Sequence, residues 1–246
     1  VMTATQIFWF IQSQADVMIA GRVLDPHTLG IYSTGLFLAQ LLAAKFVPPL
    51  NEVAYAAYSR QEQVGASSLL ATVRLVMLVA LPAYAGMAVT APVLVPVLLG
   101  DQWREIAPLL PILACAMAML TLQLLFSPAT NARGVPGTAL KVTALGSIIM
   151  PTAFVLGSPF GVAGFAWAWV AGMAILAAAT FALSAKVLKL SLADLARAVA
   201  PPLAAALMMA AGVWLAAGLL ERLTGVPEAL ALALLPRPET PIEETR

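Results

Sequence analysis

The chain has 246 residues, of which 61% are apolar and only 10% charged, with a mean hydropathy of +0.93. Soluble domains carry about a quarter charged residues, so an ordinary aqueous core is excluded and an integral membrane protein is indicated. The formal net charge of +1 leaves no basic tract for nucleic acid. A lone Cys115 and a lone His27 supply neither a disulfide framework nor a zinc cluster, and no metal or other cofactor is expected.

Runs of Leu, Ala, Val and Met longer than ~18 residues, broken by Gly and Pro, are the pattern of helices rather than of a barrel. The polar and Gly/Pro breaks predict spanning segments at 2–24, 28–59, 67–99, 104–132, 138–157, 161–187 and 197–220. At ~1.5 Å per residue the second, third and fourth would run to about 45–50 Å, whereas a hydrocarbon core is about 30 Å thick. These segments must tilt, bend or project from the membrane. Pro48 and Pro49, Pro82, Pro92 and Pro96, and Pro108, Pro111 and Pro128 mark the expected bends, as ordinary kinks or as shapers of a cavity.

The first segment places Thr5, Trp9, Gln12 and Asp16 within about 60° of one another at 100° per residue, with Gln14 opposite. A carboxylate in a membrane helix is costly and faces a bundle interior or a water-filled cavity, which makes Asp16 a functional candidate. A structural carboxylate paired with a neighbouring helix, or one beside Arg22 near the surface, is the competing reading.

The second segment sets Lys45 and Glu52 on either side of Pro48 and Pro49, both at membrane depth if the helix starts near Leu29. Lys45 is too far from either end to snorkel cheaply. Asn51, Tyr55 and Tyr58 share a face just past the break and offer an amide and aromatic rings to a polar cavity. A purely structural Lys–Glu pair is the alternative.

Further along, FGVAGFAWAW from Phe160 to Trp169 has the small-residue spacing of closely packed helices. Trp167 and Trp169 read as packing or interfacial residues rather than as a ligand box. The segment after Arg222 contains a short apolar piece, 229–235, too short to cross a bilayer and similar to the start of an eighth span that stops early. The acidic, Pro-rich 236–246 reads as a disordered tail. The start at Val1 has no basic region or cleavage site and suggests a fragment that lacks its N-terminal part.

Cations near helix ends mark the cytoplasmic side. With an alternating path, Arg60, Arg74, Arg133, Lys141, Lys186, Lys189 and Arg197 fall on one face and only Arg22, Arg104 and Arg222 on the other. The first segment therefore starts inside and runs outward. No nucleophile elbow, metal-ligand spacing, phosphate loop or general-base His marks an enzyme.

Several pieces in order, ADVMIAGRVLDPHTLGIYSTGLFLAQLL, VPPLNEVAYAAYSR, ALPAYAGMAVTAPVLVPVLLGDQW and PFGVAGFAWAW, resemble the polysaccharide and oligosaccharide-lipid flippases (Wzx-like) of the multidrug/oligosaccharidyl-lipid/polysaccharide exporter superfamily. Ile19 to Arg22, Leu29 to Tyr32, Pro82, Leu99 and Gly100 with Trp103, and Phe160 to Gly164 carry the resemblance. It implies an all-α, polytopic, two-lobed transporter. Residues 1–187 would be its second six-helix lobe, 188–235 an added helix and a truncated one, and 236–246 the tail; the first lobe would be missing.

The function implied is flipping of undecaprenyl-diphosphate-linked oligosaccharide across the bacterial inner membrane by alternating access, for polysaccharide biosynthesis. Arg22 and Lys45, with Asn51 and Tyr55, would bind the substrate and offset its diphosphate. Asp16 or Glu52, with Gln12, would couple transport to a proton or a sodium ion. Membrane lipid is the other implied partner. A multidrug/cation antiporter would favour carboxylates over Lys45, a polysaccharide polymerase or glycosyltransferase would need a large polar loop, and a scaffold would leave Asp16, Lys45 and Glu52 unexplained.

Overall fold

The computed structural model describes residues 2–59, 66–135 and 137–224, and these form helices throughout. The 22-residue α1 is Met2–Val23, and α2 is Pro26–Ser59. They are followed by α3 (Ala66–Leu99), a 3-10 turn at Asp101–Ile106, α4 (Leu110–Leu124) and α5 (Phe126–Ala132). Then come α6 (Gly137–Gly157), a short 3-10 turn at Ser158–Phe160, α7 (Gly161–Leu188) and α8 (Leu192–Thr224). No strand occurs among the described residues. The apolar piece at 229–235 and the tail at 236–246 lie outside them.

Local chemistry fixes the element ends. Asp25 caps α2, its Oδ1 accepting the backbone N–H groups of His27 and Thr28 at 3.0 and 3.1 Å, and Pro26 takes the first helical position. Ser191 plays the same part for α8, where its hydroxyl accepts the N–H of Ala193 at 3.3 Å. The predicted fourth segment divides at Leu125, because Pro128 has no N–H and its ring opposes the carbonyl of Leu124. By contrast α2 and α3 run unbroken past their prolines.

Among the described residues, four stretches are long and apolar enough to cross a membrane: Ala66–Leu99, Leu110–Ala132, Gly137–Leu188 and Leu192–Leu219. The third contains both α6 and α7, which fold back at the turn between them. Large apolar side chains such as Val79, Ile148, Leu156 and Trp214 point outward from this bundle. On a soluble protein so much exposed apolar surface would drive association; in a bilayer it is the surface that meets lipid. The molecule is an all-α polytopic membrane bundle.

Its interior is ordered by a few close approaches. The main packed pairs are α3 with α8 and with α4, α4 with α7, α7 with α6, and α6 with α1, while α2 lies across α4 and α5. The tight turn from α6 into α7 needs Gly161, whose φ of 63° is open to glycine, and puts Gly157 and Gly164 backbone to backbone. A Cβ on Gly172 would stand 2.6 Å from Met150 Sδ, and one on Gly146 would fall on the Gln12 amide. The small residues of the Phe160–Trp169 stretch thus do close helix packing, as their spacing predicts.

Candidate functional site

The first-segment stripe splits the bundle interior into two polar zones. Gln12 and Asp16 are buried, at 3% and 0% exposure, whereas Gln14 is exposed on the far side of α1. Asp16 is thus turned away from lipid, as a membrane carboxylate must be.

Around Asp16, three helices meet. The Tyr32 hydroxyl of α2 donates to Asp16 Oδ2 at 3.0 Å and accepts from the indole N–H of Trp169 on α7 at 2.9 Å. All three residues are buried. Aromatic rings close this zone: Tyr32 against Phe165 at 5.5 Å, Phe154 against Phe165 at 6.1 Å, and Phe154 edge-on to Trp169 at 5.5 Å. Asp16 Oδ1 and Gln12 Oε1 are buried without a hydrogen-bond partner among the described residues. Trp169 is therefore a packing residue with a polar contact, while Trp167 is exposed.

The second zone is a cavity of about 240 Å³ near the other end of α1. Thr5 and Trp9, the remaining members of the stripe, line it from α1. The opposite walls are Gln123 of α4, Thr130 of α5, Thr138 and Thr143 of α6, and Thr180 and Ser184 of α7. No lining residue carries a formal charge. Sequence reasoning passed over every polar residue of α4 to α7 in this wall. Isolated hydroxyls are common in apolar helices, and only the i, i+4 pair Thr180 and Ser184 hinted at a shared face.

The remaining predicted residues lie elsewhere. Arg22 is exposed at the end of α1, its guanidinium 3.4 Å from the Met18 carbonyl. Lys45 and Glu52 are exposed on α2; seven residues apart, they lie on one helix face with Phe37 and Leu41. The backbones of Asn51 and Tyr55 are helical, and their side chains lie outside the described residues. The structure thus brings together Gln12 and Asp16, and separately Lys45 and Glu52 on one stripe.

The fold and its lipid-facing surface define a polytopic helical membrane protein. Residues 1–108 match the family model described as "Polysaccharide biosynthesis protein". That match contains α1, α2 and α3 and supports the flippase-family resemblance carried by the sequence. Neither the comparison with curated proteins nor that with solved structures returns a match.

Proposed function

We propose that this chain forms one lobe of a flippase that carries undecaprenyl-diphosphate-linked oligosaccharide from the inner to the outer leaflet of a bacterial inner membrane. The observation that carries the reading is the exposed α2 stripe of Lys45 and Glu52, within the segment that matches a polysaccharide biosynthesis family. Charges at mid-helix are costly in hydrocarbon and are retained where they meet water or a charged substrate. On this reading the stripe faces the transport path shared with a second lobe. Lys45, with Arg22 at the outer end of α1, offsets the diphosphate charge, and Asn51 and Tyr55 are the further substrate-binding residues of this reading.

Asp16 and Gln12 sit behind that surface in the bundle. Their unpartnered oxygens suit a proton or sodium ion whose arrival would alter the Tyr32 and Trp169 contacts as the lobes rock. The test is transport of a fluorescent lipid-diphosphate oligosaccharide in vesicles reconstituted with the protein. Lys45→Ala should lower the rate at least tenfold with unchanged helicity, and Lys45→Arg should keep most of it. Undiminished transport by Lys45→Ala removes the cation clamp. Transport of organic cations in place of the anionic lipid would favour a cation antiporter.

A further inference from the structure

The polar cavity between α1, α4, α5, α6 and α7 has a chemistry that a diphosphate path does not use. Three of its threonines spend their protons on their own helices: Thr180 donates to the Leu176 carbonyl at 2.7 Å, Thr143 to that of Ala139 at 3.0 Å, and Thr130 to that of Phe126 at 3.2 Å. What these hydroxyls turn to the cavity is lone pairs. Gln123 Oε1 and Ser184 Oγ add to this wall; both are buried without a hydrogen-bond partner, in residues only 6% and 1% exposed. A buried polar group left unpaired costs about 1–3 kcal/mol; the Gln123 oxygen can only accept and the Ser184 hydroxyl can also donate, so such a wall favours a ligand whose groups mostly donate and can also accept.

Charge narrows the class. With no carboxylate in the lining, nothing offsets the desolvation of an ammonium or metal ion, and with no cation nothing offsets that of an anion. The ligand is neutral. Size narrows it again, because about 240 Å³ is below the ~300–1,000 Å³ of sites for drug-sized molecules and holds one small ring rather than a chain. Trp9 adds an indole wall for the apolar face of such a ring.

We propose that this cavity binds a single neutral, polyhydroxylated ring, one sugar residue, whose hydroxyls donate to Gln123, Ser184 and the back-bonded threonines. The pocket chemistry stands by itself, and only the source of the sugar rests on the flippase reading: a free monosaccharide, or one residue of the lipid-linked oligosaccharide.

The purified full chain in lipid nanodiscs is titrated calorimetrically with the methyl glycosides of glucose, galactose, mannose and N-acetylglucosamine, with glucuronate as the charged counterpart. At least one neutral glycoside should bind saturably. Gln123→Leu and Ser184→Ala should each weaken it about tenfold or more, and glucuronate should bind at least tenfold more weakly. If Gln123→Leu does not keep wild-type helicity, Ser184→Ala decides. The inference is overturned by no saturable binding to the wild type, by equal binding in a folded variant, or by displacement of the glycoside with sodium chloride. Competition by the lipid-linked oligosaccharide assigns the sugar to the transport substrate, and its absence assigns a free sugar; either supports the pocket. Flipping without glycoside binding overturns this inference and leaves the proposed function intact. Glycoside binding weakened by the variants, without flipping, does the reverse.

Discussion

Replacing Tyr32 by Phe removes one oxygen atom and two hydrogen bonds while leaving the ring in place against Phe165, 5.5 Å away. Asp16 then loses its donor from α2, and the Trp169 N–H loses the Tyr32 oxygen as acceptor. In soluble proteins a bond to a charged group contributes ~1.5–3 kcal/mol and an orphaned buried donor costs about 1–3. Couplings between membrane helices are smaller, averaging about 0.6 and reaching about 1.7 kcal/mol, because the unfolded helices also find partners in the bilayer. Asp16 and Tyr32 are both at 0% exposure and Trp169 is at 3%, so this site belongs at the upper end. The expected loss for Tyr32→Phe is about 2–3 kcal/mol, of which about 1.5 is coupling to Asp16. Reversible unfolding in mixed micelles titrated with dodecyl sulfate, followed by far-UV circular dichroism, measures it for Tyr32→Phe, Asp16→Asn and the double variant. Additivity within ~0.3–0.5 kcal/mol would mean that the two side chains do not interact, and the three-helix link would be refuted.

Three further outcomes follow from the same contacts. Gly164→Ala sets a Cβ on the Gly157 carbonyl, a backbone atom that cannot swing aside, so unfolding in the same assay should come earlier by about 1–3 kcal/mol; Gly212→Ala on α8, with nothing within 4 Å, should be neutral or slightly stabilising. Tyr84→Phe breaks a 3.1 Å bond to Thr121, but the Thr121 hydroxyl keeps its 2.8 Å bond to the Met117 carbonyl, so the loss should stay below about 1 kcal/mol. The Asp25 carboxyl is held below its ordinary pKa by the Thr28 side chain and N–H and by the His27 N–H, so the cap is fully present above the usual carboxylate range and is lost as pH falls through the lowered value. Amide exchange at His27 and Thr28 should accelerate across that acid window, and Asp25→Ala should show the fast exchange at all pH values.

Periodicity and proline chemistry made much of the fold legible in advance. The apolar runs located the long helices, and the 100° rule sorted Gln12 and Asp16 from Gln14. The ends were less legible because capping is local hydrogen bonding rather than hydropathy: Asp25 starts α2 at Pro26, earlier than the apolar run alone, and Ser191 starts α8 at Leu192, ahead of the segment expected from 197. The candidate site was readable only on one side. Asp16 announced itself by its cost, but Tyr32 lies 16 positions along the chain and Trp169 a further 137 beyond Tyr32, and single-sequence spacing carries no such pairing. Lys45 stood at membrane depth in the sequence, and only the packing of α2 across α4 leaves it on the exposed side.

The close contacts also decide which parts of the bundle can move against one another. Gln12 of α1 fits over Gly146 of α6, Met150 of α6 over Gly172 of α7, and Gly157 against Gly164 at the turn. Sliding or rotating any of these helices by part of a turn would drive side chain into backbone, and packed interfaces of this kind switch between discrete arrangements rather than deforming smoothly. Motion that keeps the contacts carries α1, α6 and α7 as one body. The polar cavity takes walls from all three helices and from α4 and α5 as well, while Asp16 and Trp169 ride on α1 and α7 within that body. Tyr32 does not: it comes from α2, which packs mainly on α4 and α5 and meets α1 and α7 at few places. The Tyr32 hydroxyl is therefore the contact through which a shift of α2, the helix that carries Lys45 and Glu52, would reach the buried Asp16.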